Sequence, residues 1–163
     1  KNQSFNTLLV IVGEAEARRK NVEADLKSLA ADLGLSQDVI FAGNTKNVAE
    51  CLSIADVVVS SNVAKAEAFG RSMAEALAMN KPVVARAFGG ALDVVRNGVD
   101  GILIDADNSA DWPTLFAQAL EKVRTIPFED LRKNALERFS FEKMATSSLD
   151  AYREVAQLKE NKK

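Results

Sequence analysis

Histidine is missing from all 163 residues. Its absence removes the commonest general base and the commonest transition-metal ligand, so neither a histidine-based triad nor a His-ligated zinc site can be built within this chain. Cysteine occurs once, as Cys51, which excludes an internal disulfide and fits a reducing compartment. Positive charge is not in excess: 21 Lys and Arg stand against 23 Asp and Glu, a net charge of -2. Sequence-independent nucleic-acid binding needs a basic field, and so does docking on an anionic membrane. No apolar run approaches the ~20 residues that span a bilayer. Leu8–Val12 is also too short for the core of a signal peptide. The first residue is lysine rather than methionine, and a strand is expected within the first ten residues, so the sequence reads as a cut inside a longer polypeptide.

What is present is ordinary globular composition, 47% hydrophobic and 27% charged, at a length that suits one domain. Leu8–Val12 is a continuous apolar run ending at Gly13, the pattern of a strand buried on both faces of a parallel sheet. From Glu14 to Leu33 the apolar residues Val22, Leu26, Leu29, Ala30 and Leu33 fall three and four apart, which predicts an amphipathic helix stopped by Gly34. Further strands are expected at Val39–Ala42, Ala55–Ser60, Lys81–Ala85 and Gly101–Ile104. Helices are expected over 46–54, 70–79, from the Gly89-Gly90 turn to Arg96, and over 112–123, 129–138 and 141–158, with a frayed tail from Lys159. Strands alternating with helices predict an α/β fold, a Rossmann-like three-layer α/β/α domain with a mostly parallel sheet. Ligands in such sheets sit at the carboxyl ends of the strands.

One stretch carries chemistry: Glu67-Ala68-Phe69-Gly70-Arg71-Ser72-Met73-Ala74-Glu75, running from a loop into a helix. Gly70 lets backbone approach a ligand closely. The amides of Arg71 and Ser72 would form a helix N-terminus, whose unpaired N–H groups and partial positive charge suit a phosphate. Arg71 can add a charge-assisted contact, and Glu75, inside the helix, can accept hydrogen bonds from two neighbouring ribose hydroxyls. Glu67 and Glu75 also read as solvated charges on a loop and a helix, and their spacing alone does not define a site.

The surrounding blocks add weight. They are Ile11-Val12-Gly13, Leu33-Gly34-Leu35, Phe41-Ala42-Gly43, Ala55-Asp56-Val57, Glu67-to-Gly70 (E-x-F-G), Glu75-Ala76-Leu77-Ala78, Lys81-to-Ala85 (K-P-V-V-A), Gly89-Gly90 and Asn97-to-Gly101 (N-G-x-x-G). In this order the sequence resembles the retaining GT-B glycosyltransferases of group 1, also called family 4, over roughly residues 8 to 105. The resemblance implies one half of a GT-B fold, the C-terminal domain that binds a nucleotide-sugar donor. It implies Glu75 on the ribose, Glu67 as the catalytic-side glutamate facing the donor sugar and phosphate, and the amides of Phe69, Gly70, Arg71 and Ser72 on the diphosphate. Gly13 would give close approach, and Gly43, Asn44 and Thr45 would lie by the base. No metal or cofactor is implied beyond the NDP-sugar, and transfer would retain the anomeric configuration, in glycan or cell-surface polysaccharide synthesis. The implied partner is an acceptor domain of the same polypeptide, against which helix 141–158 would pack. The implied location is cytoplasmic, or peripheral to the inner membrane through that other half.

Departures are visible. Gly13-Glu14-Ala15-Glu16 lacks the family's second glycine and proline, Asn80 stands where a small residue is usual, and Asp93 replaces a glutamate after the Gly-Gly turn. The family's Arg and Lys that neutralise the leaving diphosphate have no counterpart at Lys1, and Arg18-Arg19-Lys20 reads as a solvated helix face. The chain would therefore begin inside the donor domain and be an incomplete catalyst. Cys51 is expected to be a buried thiol and Trp112 a helix start. Phe116, Phe128, Phe139, Phe141 and Tyr152 are expected in the core or facing the other domain. Two other readings stay open: a nucleotide-sugar epimerase of the same architecture, and a non-catalytic Rossmann or flavodoxin-like interaction module.

Overall fold

The computed structural model of the chain describes residues 7–14, 21–62, 67–105, 109–127 and 129–160. Two compact units divide the chain, Lys1–Cys51 and Leu52–Lys163.

In the first unit, β1 (Leu9–Val12) and β2 (Val39–Gly43) flank α1 (Val22–Asp32) in sequence. The two strands pair in parallel, Leu9 opposite Val39 and Ile11 opposite Phe41, with a register shift between Ile11 and Val12. Helix α1 ends where Gly34 predicts. The Gly34 amide donates to the carbonyl of Ala31 at 2.9 Å and that of Leu35 to Ala30 at 2.7 Å, the paired bonds that satisfy a helix's last carbonyls. The expected burial of the first strand on both faces is not met: Leu9, Val10 and Val12 are exposed, and among the described residues β1 pairs with β2 alone. Arg18, Arg19 and Lys20 lie outside the described residues. The short helix α2 (Val48–Ser53) spans the division between units, and Cys51 on it is half-buried rather than buried.

The second unit holds β3 (Val58–Ser60), α3 (Arg71–Ala78), β4 (Val83–Arg86), α4 (Ala91–Val94) and β5 (Gly101–Ile104). A 3-10 turn (Ser109–Asp111), α5 (Trp112–Val123), α6 (Leu131–Phe139) and α7 (Phe141–Glu160) follow. The sheet order is β3-β4-β5, and both pairings are parallel. Strand β4 is central, and its alternation builds both cores. Val83 and Ala85 face a cluster with Met73, Leu77, Val94, Leu131 and Ala135, so α3, α4 and α6 cover one side. Val84 faces Ile102, Ile104, Ala119 and Val123, so α5 covers the other. Three layers result, as expected. Met73, Leu77 and Leu131 are each about 1% exposed, and burying a side chain of this kind contributes roughly 1.5–3 kcal/mol.

Boundaries differ in detail. The third strand begins at Val58 rather than Ala55, and α4 stops at Val94 rather than Arg96 because Val95 is extended, at φ -102 and ψ 117. Helix α7 continues through Lys159 and Glu160, where no breaker intervenes, and the remainder of the expected frayed tail lies outside the described residues. Asn80 adopts the left-handed conformation, at φ 61, and its amide and that of Lys81 close α3 on Leu77 and Ala76 at 2.9 Å each. Its side-chain oxygen accepts from the Arg132 amide at 3.4 Å, joining the end of α3 to the start of α6.

Candidate nucleotide-sugar site

Helix α3 begins at Arg71, and Gly70 caps it in the left-handed region, at φ 88 and ψ 48. The first ladder bonds run from the amides of Met73 and Ala74 to the Gly70 carbonyl, at 3.0 and 3.2 Å. The amides of Arg71 and Ser72 precede that ladder and have no partner within it. They present N–H groups and the positive end of the helix dipole, an arrangement that holds a phosphate. A side chain at position 70 would sit at a strained φ and meet Cε of Met73, so the cap favours glycine.

The loop before the cap is held by its backbone. The Gly90 amide donates to the Glu67 carbonyl at 2.8 Å. A Cβ on Gly90 would lie 2.7 Å from Cα of Phe69 and closer still to its carbonyl, so the Gly-Gly turn is where the loop seats. The Phe69 ring packs edge-on against Phe139 at the end of α6, with centroids 5.6 Å apart and planes at 81°. The Glu67 carboxylate is half-buried and accepts from Nδ2 of Asn62 at 3.4 Å. Glu75 lies on the second turn of α3, open to solvent, with Nε of Arg71 3.5 Å from its Oε1. Ser72 is exposed at the helix start. Glu67, Phe69, Gly70, Arg71, Ser72 and Glu75 thus share one strand-to-helix passage of the second unit.

The other expected site residues belong to the first unit. Gly13 and Gly43 adjoin at the carboxyl ends of β1 and β2, the Gly13 amide donating to the Gly43 carbonyl at 2.8 Å, and both have positive φ. Asn44 and Thr45 follow β2, and Oγ1 of Thr45 accepts from the Asn47 amide at 3.0 Å, just before α2.

Sequence reasoning named neither Arg86 nor Asn62, although both follow the strand ends, Ala85 and Ser60, where ligand contacts were expected. Both line a shallow depression with Ser60, Glu67, Met73, Phe88 and Ala91. The Arg86 guanidinium lies 4.9 Å from the Phe88 ring centroid and 5.9 Å from that of Trp112. A signal was there: Arg86 ends a strand just before a Gly-Gly turn, where α/β sheets place ligand contacts. Asp93 stands in the first turn of α4. Trp112 begins α5 and packs on the core with Phe116, while Phe141 and Tyr152 are exposed and Phe128 lies outside the described residues.

Asp100, within the N-G-x-x-G block, is 1% exposed. Arg96 donates to it through Nε at 2.7 Å, through Nη2 at 2.6 Å and through its backbone amide at 3.1 Å. Arg138 adds a fourth bond through Nη1 at 3.0 Å. Burial pushes the carboxyl pKa up, but the hydrogen bonds from Arg96 and the charges of both arginines outweigh it and hold the group below its ordinary value. The hydrogen bond to Asp100 outweighs desolvation at Arg96 and raises it. Among the described residues no group of His, Cys, Asp and Glu could hold a metal ion, and no helix is long and apolar enough to cross a membrane.

A three-layer parallel α/β unit with a glycine-capped helix N-terminus at its strand ends is the Rossmann-like half of a GT-B protein. Residues 1–138 match the family described as Glycosyl transferases group 1, and the chain belongs to that family. It is 45% identical over 92 residues to a D-inositol 3-phosphate glycosyltransferase of Nocardioides, covering 53% of this chain and 19% of that protein. It is 31% identical to the putative glycosyltransferase EpsD of Bacillus subtilis, over 88% of this chain and 36% of that protein. The crystal structure of Anabaena Alr3699/HepE in complex with UDP superposes with a TM-score of 0.77 at 26% identity, over 91% of this chain and 41% of that chain. The same protein has been solved with UDP-glucose, with a TM-score of 0.70 at 27% identity, over 86% of this chain and 40% of that chain. The chain therefore spans well under half the length of each of these three proteins.

Proposed function

We propose that this chain is the donor-binding half of a nucleotide-sugar-dependent glycosyltransferase. The observation that carries the reading is the N-terminus of α3. Gly70 caps it, the amides of Arg71 and Ser72 open from it, and Glu75 stands one turn further in. The likeness to a protein solved with UDP and with UDP-glucose supports a nucleotide-sugar ligand. In this reading the helix terminus and Arg71 take the diphosphate. Glu75 accepts from the ribose hydroxyls, and Glu67, steadied by Asn62, faces the donor sugar. Gly13 and the Gly43–Thr45 turn serve the base side. An acceptor domain of the same polypeptide completes the enzyme, and the exposed Phe141, Met144, Tyr152 and Val155 of α7 form a stripe suited to that domain. Transfer is retaining and metal-independent, in glycan or cell-surface polysaccharide assembly, in the cytoplasm or at the inner face of the membrane.

The test is an amide-resolved NMR titration of the chain with UDP, GDP, ADP and their sugar conjugates. Shifts at Gly13, Gly43–Thr45 and Phe69–Glu75 with one nucleotide are expected, and Glu75→Ala should require about ten- to a hundredfold more nucleotide to reach them. Shifts elsewhere, or none with any nucleotide, would overturn the reading. For the full-length polypeptide, a product with the donor's anomeric configuration and turnover unchanged by EDTA are expected.

A further inference from the structure

We infer that Phe139 is a positioning residue for the donor-phosphate loop, and that Arg138 and Asp100 fix it in place. The inference rests on the reading of Gly70–Ser72 as a phosphate cradle. A cradle made of backbone amides has no side chain of its own to aim it, so its geometry depends on what holds the preceding residues.

Beside the Asn62 bond to the Glu67 carboxylate, the described residues hold them at the backbone and at the Phe69 ring. Behind the loop, Gly90 takes the Phe69 backbone and donates to the Glu67 carbonyl. To the side, the only large side chain between Glu67 and the cap, Phe69, sets its ring edge-on against Phe139. Phe69 is 47% exposed, and this ring pair restrains the side chain laterally. Phe139 is the last residue of α6 and needs fixing itself. The guanidinium of Arg138 stands 4.4 Å from the Phe139 ring centroid. That guanidinium is in turn fixed at two points, Nη1 on Asp100 at 3.0 Å and Nη2 on the Asp93 carbonyl at 2.8 Å. Asp93 lies on α4, which the Gly-Gly turn leads into. The end of α6 is thus tied to the elements that seat the back of the loop, and the ring pair passes that register to Gly70.

Leu131 and Ala135 make the buried core of α6, and Phe139 packs against the edge of that core while its ring also meets the loop residue Phe69, so the loop readouts below separate the ring contact from core packing. Edge-to-face aromatic pairs contribute roughly enough to change an equilibrium three- to tenfold. That is the scale expected for the population of the binding-competent loop.

The test pairs Phe139→Leu, which keeps apolar volume and loses the ring edge, with Arg138→Lys and with Val123→Ala. Val123 lies in the opposite core cluster and serves as a stability control. The first readout needs no ligand. In Phe139→Leu, hydrogen exchange of the Gly90, Met73 and Ala74 amides should quicken about three- to tenfold, with the Val83 and Ala87 amides of the sheet unchanged. The second readout is UDP-glucose affinity, expected to fall by a similar factor in Phe139→Leu, by less in Arg138→Lys, and not at all in Val123→Ala despite its lower melting temperature. Unchanged loop exchange in Phe139→Leu overturns the inference, as does an affinity loss that merely follows melting temperature across all three variants. Failure of the unsubstituted chain to bind any nucleotide sinks the functional reading instead, and the exchange arm still decides whether Phe139 holds the loop.

Discussion

Arg138, near the end of α6, donates through Nη1 to Oδ2 of Asp100, 38 positions earlier, at 3.0 Å. With the fork from Arg96, this places one buried carboxylate between two guanidiniums and ties the turn before β5 to the end of α6. Asp100→Ala leaves both cations without their acceptor. Removing one partner of a buried pair costs roughly 3–5 kcal/mol. Arg96 and Arg138 are 42% and 27% exposed and can turn to water, so the expected loss is at the lower end of that range. Denaturant unfolding should show a lower midpoint with little change in slope.

The same carboxylate sets an acid limit. Its folded-state pKa is held below the ordinary carboxylate value by the arginine hydrogen bonds and charges. A depressed pKa contributes stability that is fully present above the unfolded value of about 3.9 and is lost as pH falls through the folded one. The stability difference between the chain and Asp100→Asn should therefore be flat above about pH 5 and narrow below about pH 4. Unfolding midpoints measured from neutral to acid pH for both proteins check this. A gap that widens in acid would contradict the assignment.

The layers and the phosphate cradle were legible because each is a local pattern. Periodicity marked β5 and α5 to the residue, and Gly70 before Arg71-Ser72 marked the helix terminus. The long-range ties were not legible. Nothing in Asn97-Gly98-Val99-Asp100 points to Arg138, and nothing in Phe69 points to Phe139, because both pairings depend on where α6 docks. Arg86 was not named for another reason: the expected strand stopped one residue short of it, at Ala85, and position alone did not say which side chain beyond that end would line the depression. Exposure of β1 was misread because an apolar run signals burial without saying what covers it.

Two glycines of the cradle should fail differently. Gly90 has an ordinary helical backbone, at φ -58, so alanine there suffers only from lack of space. Its Cβ meets the Phe69 backbone, which must shift. Overpacking of this kind costs about 1–3 kcal/mol, and Gly90→Ala should also weaken nucleotide binding through the displaced loop. Gly70 sits at φ 88, where an L residue is strained by roughly 1–2 kcal/mol, while its steric neighbour is the flexible end of Met73. Gly70→Asn, which tolerates the left-handed region, should recover much of the stability lost in Gly70→Ala. Thermal melts of the three variants check the contrast.

Glu75 should separate binding from folding. It is open to solvent, and its ion pair with Arg71 joins a carboxylate 46% exposed to a guanidinium 86% exposed. Exposed pairs of this kind contribute at most about 1 kcal/mol, so Glu75→Ala and Glu75→Gln should melt within a few degrees of the parent. If the carboxylate accepts from two ribose hydroxyls, its loss removes charge-assisted hydrogen bonds of roughly 1.5–3 kcal/mol, about ten- to a hundredfold in affinity. Glu75→Gln keeps an acceptor without the charge and should fall between the parent and Glu75→Ala. Isothermal titration with UDP and with deoxyuridine diphosphate adds a second axis. The parent should prefer the ribose form, and Glu75→Ala should bind both alike. Equal preference in parent and variant would mean that Glu75 does not touch the ribose.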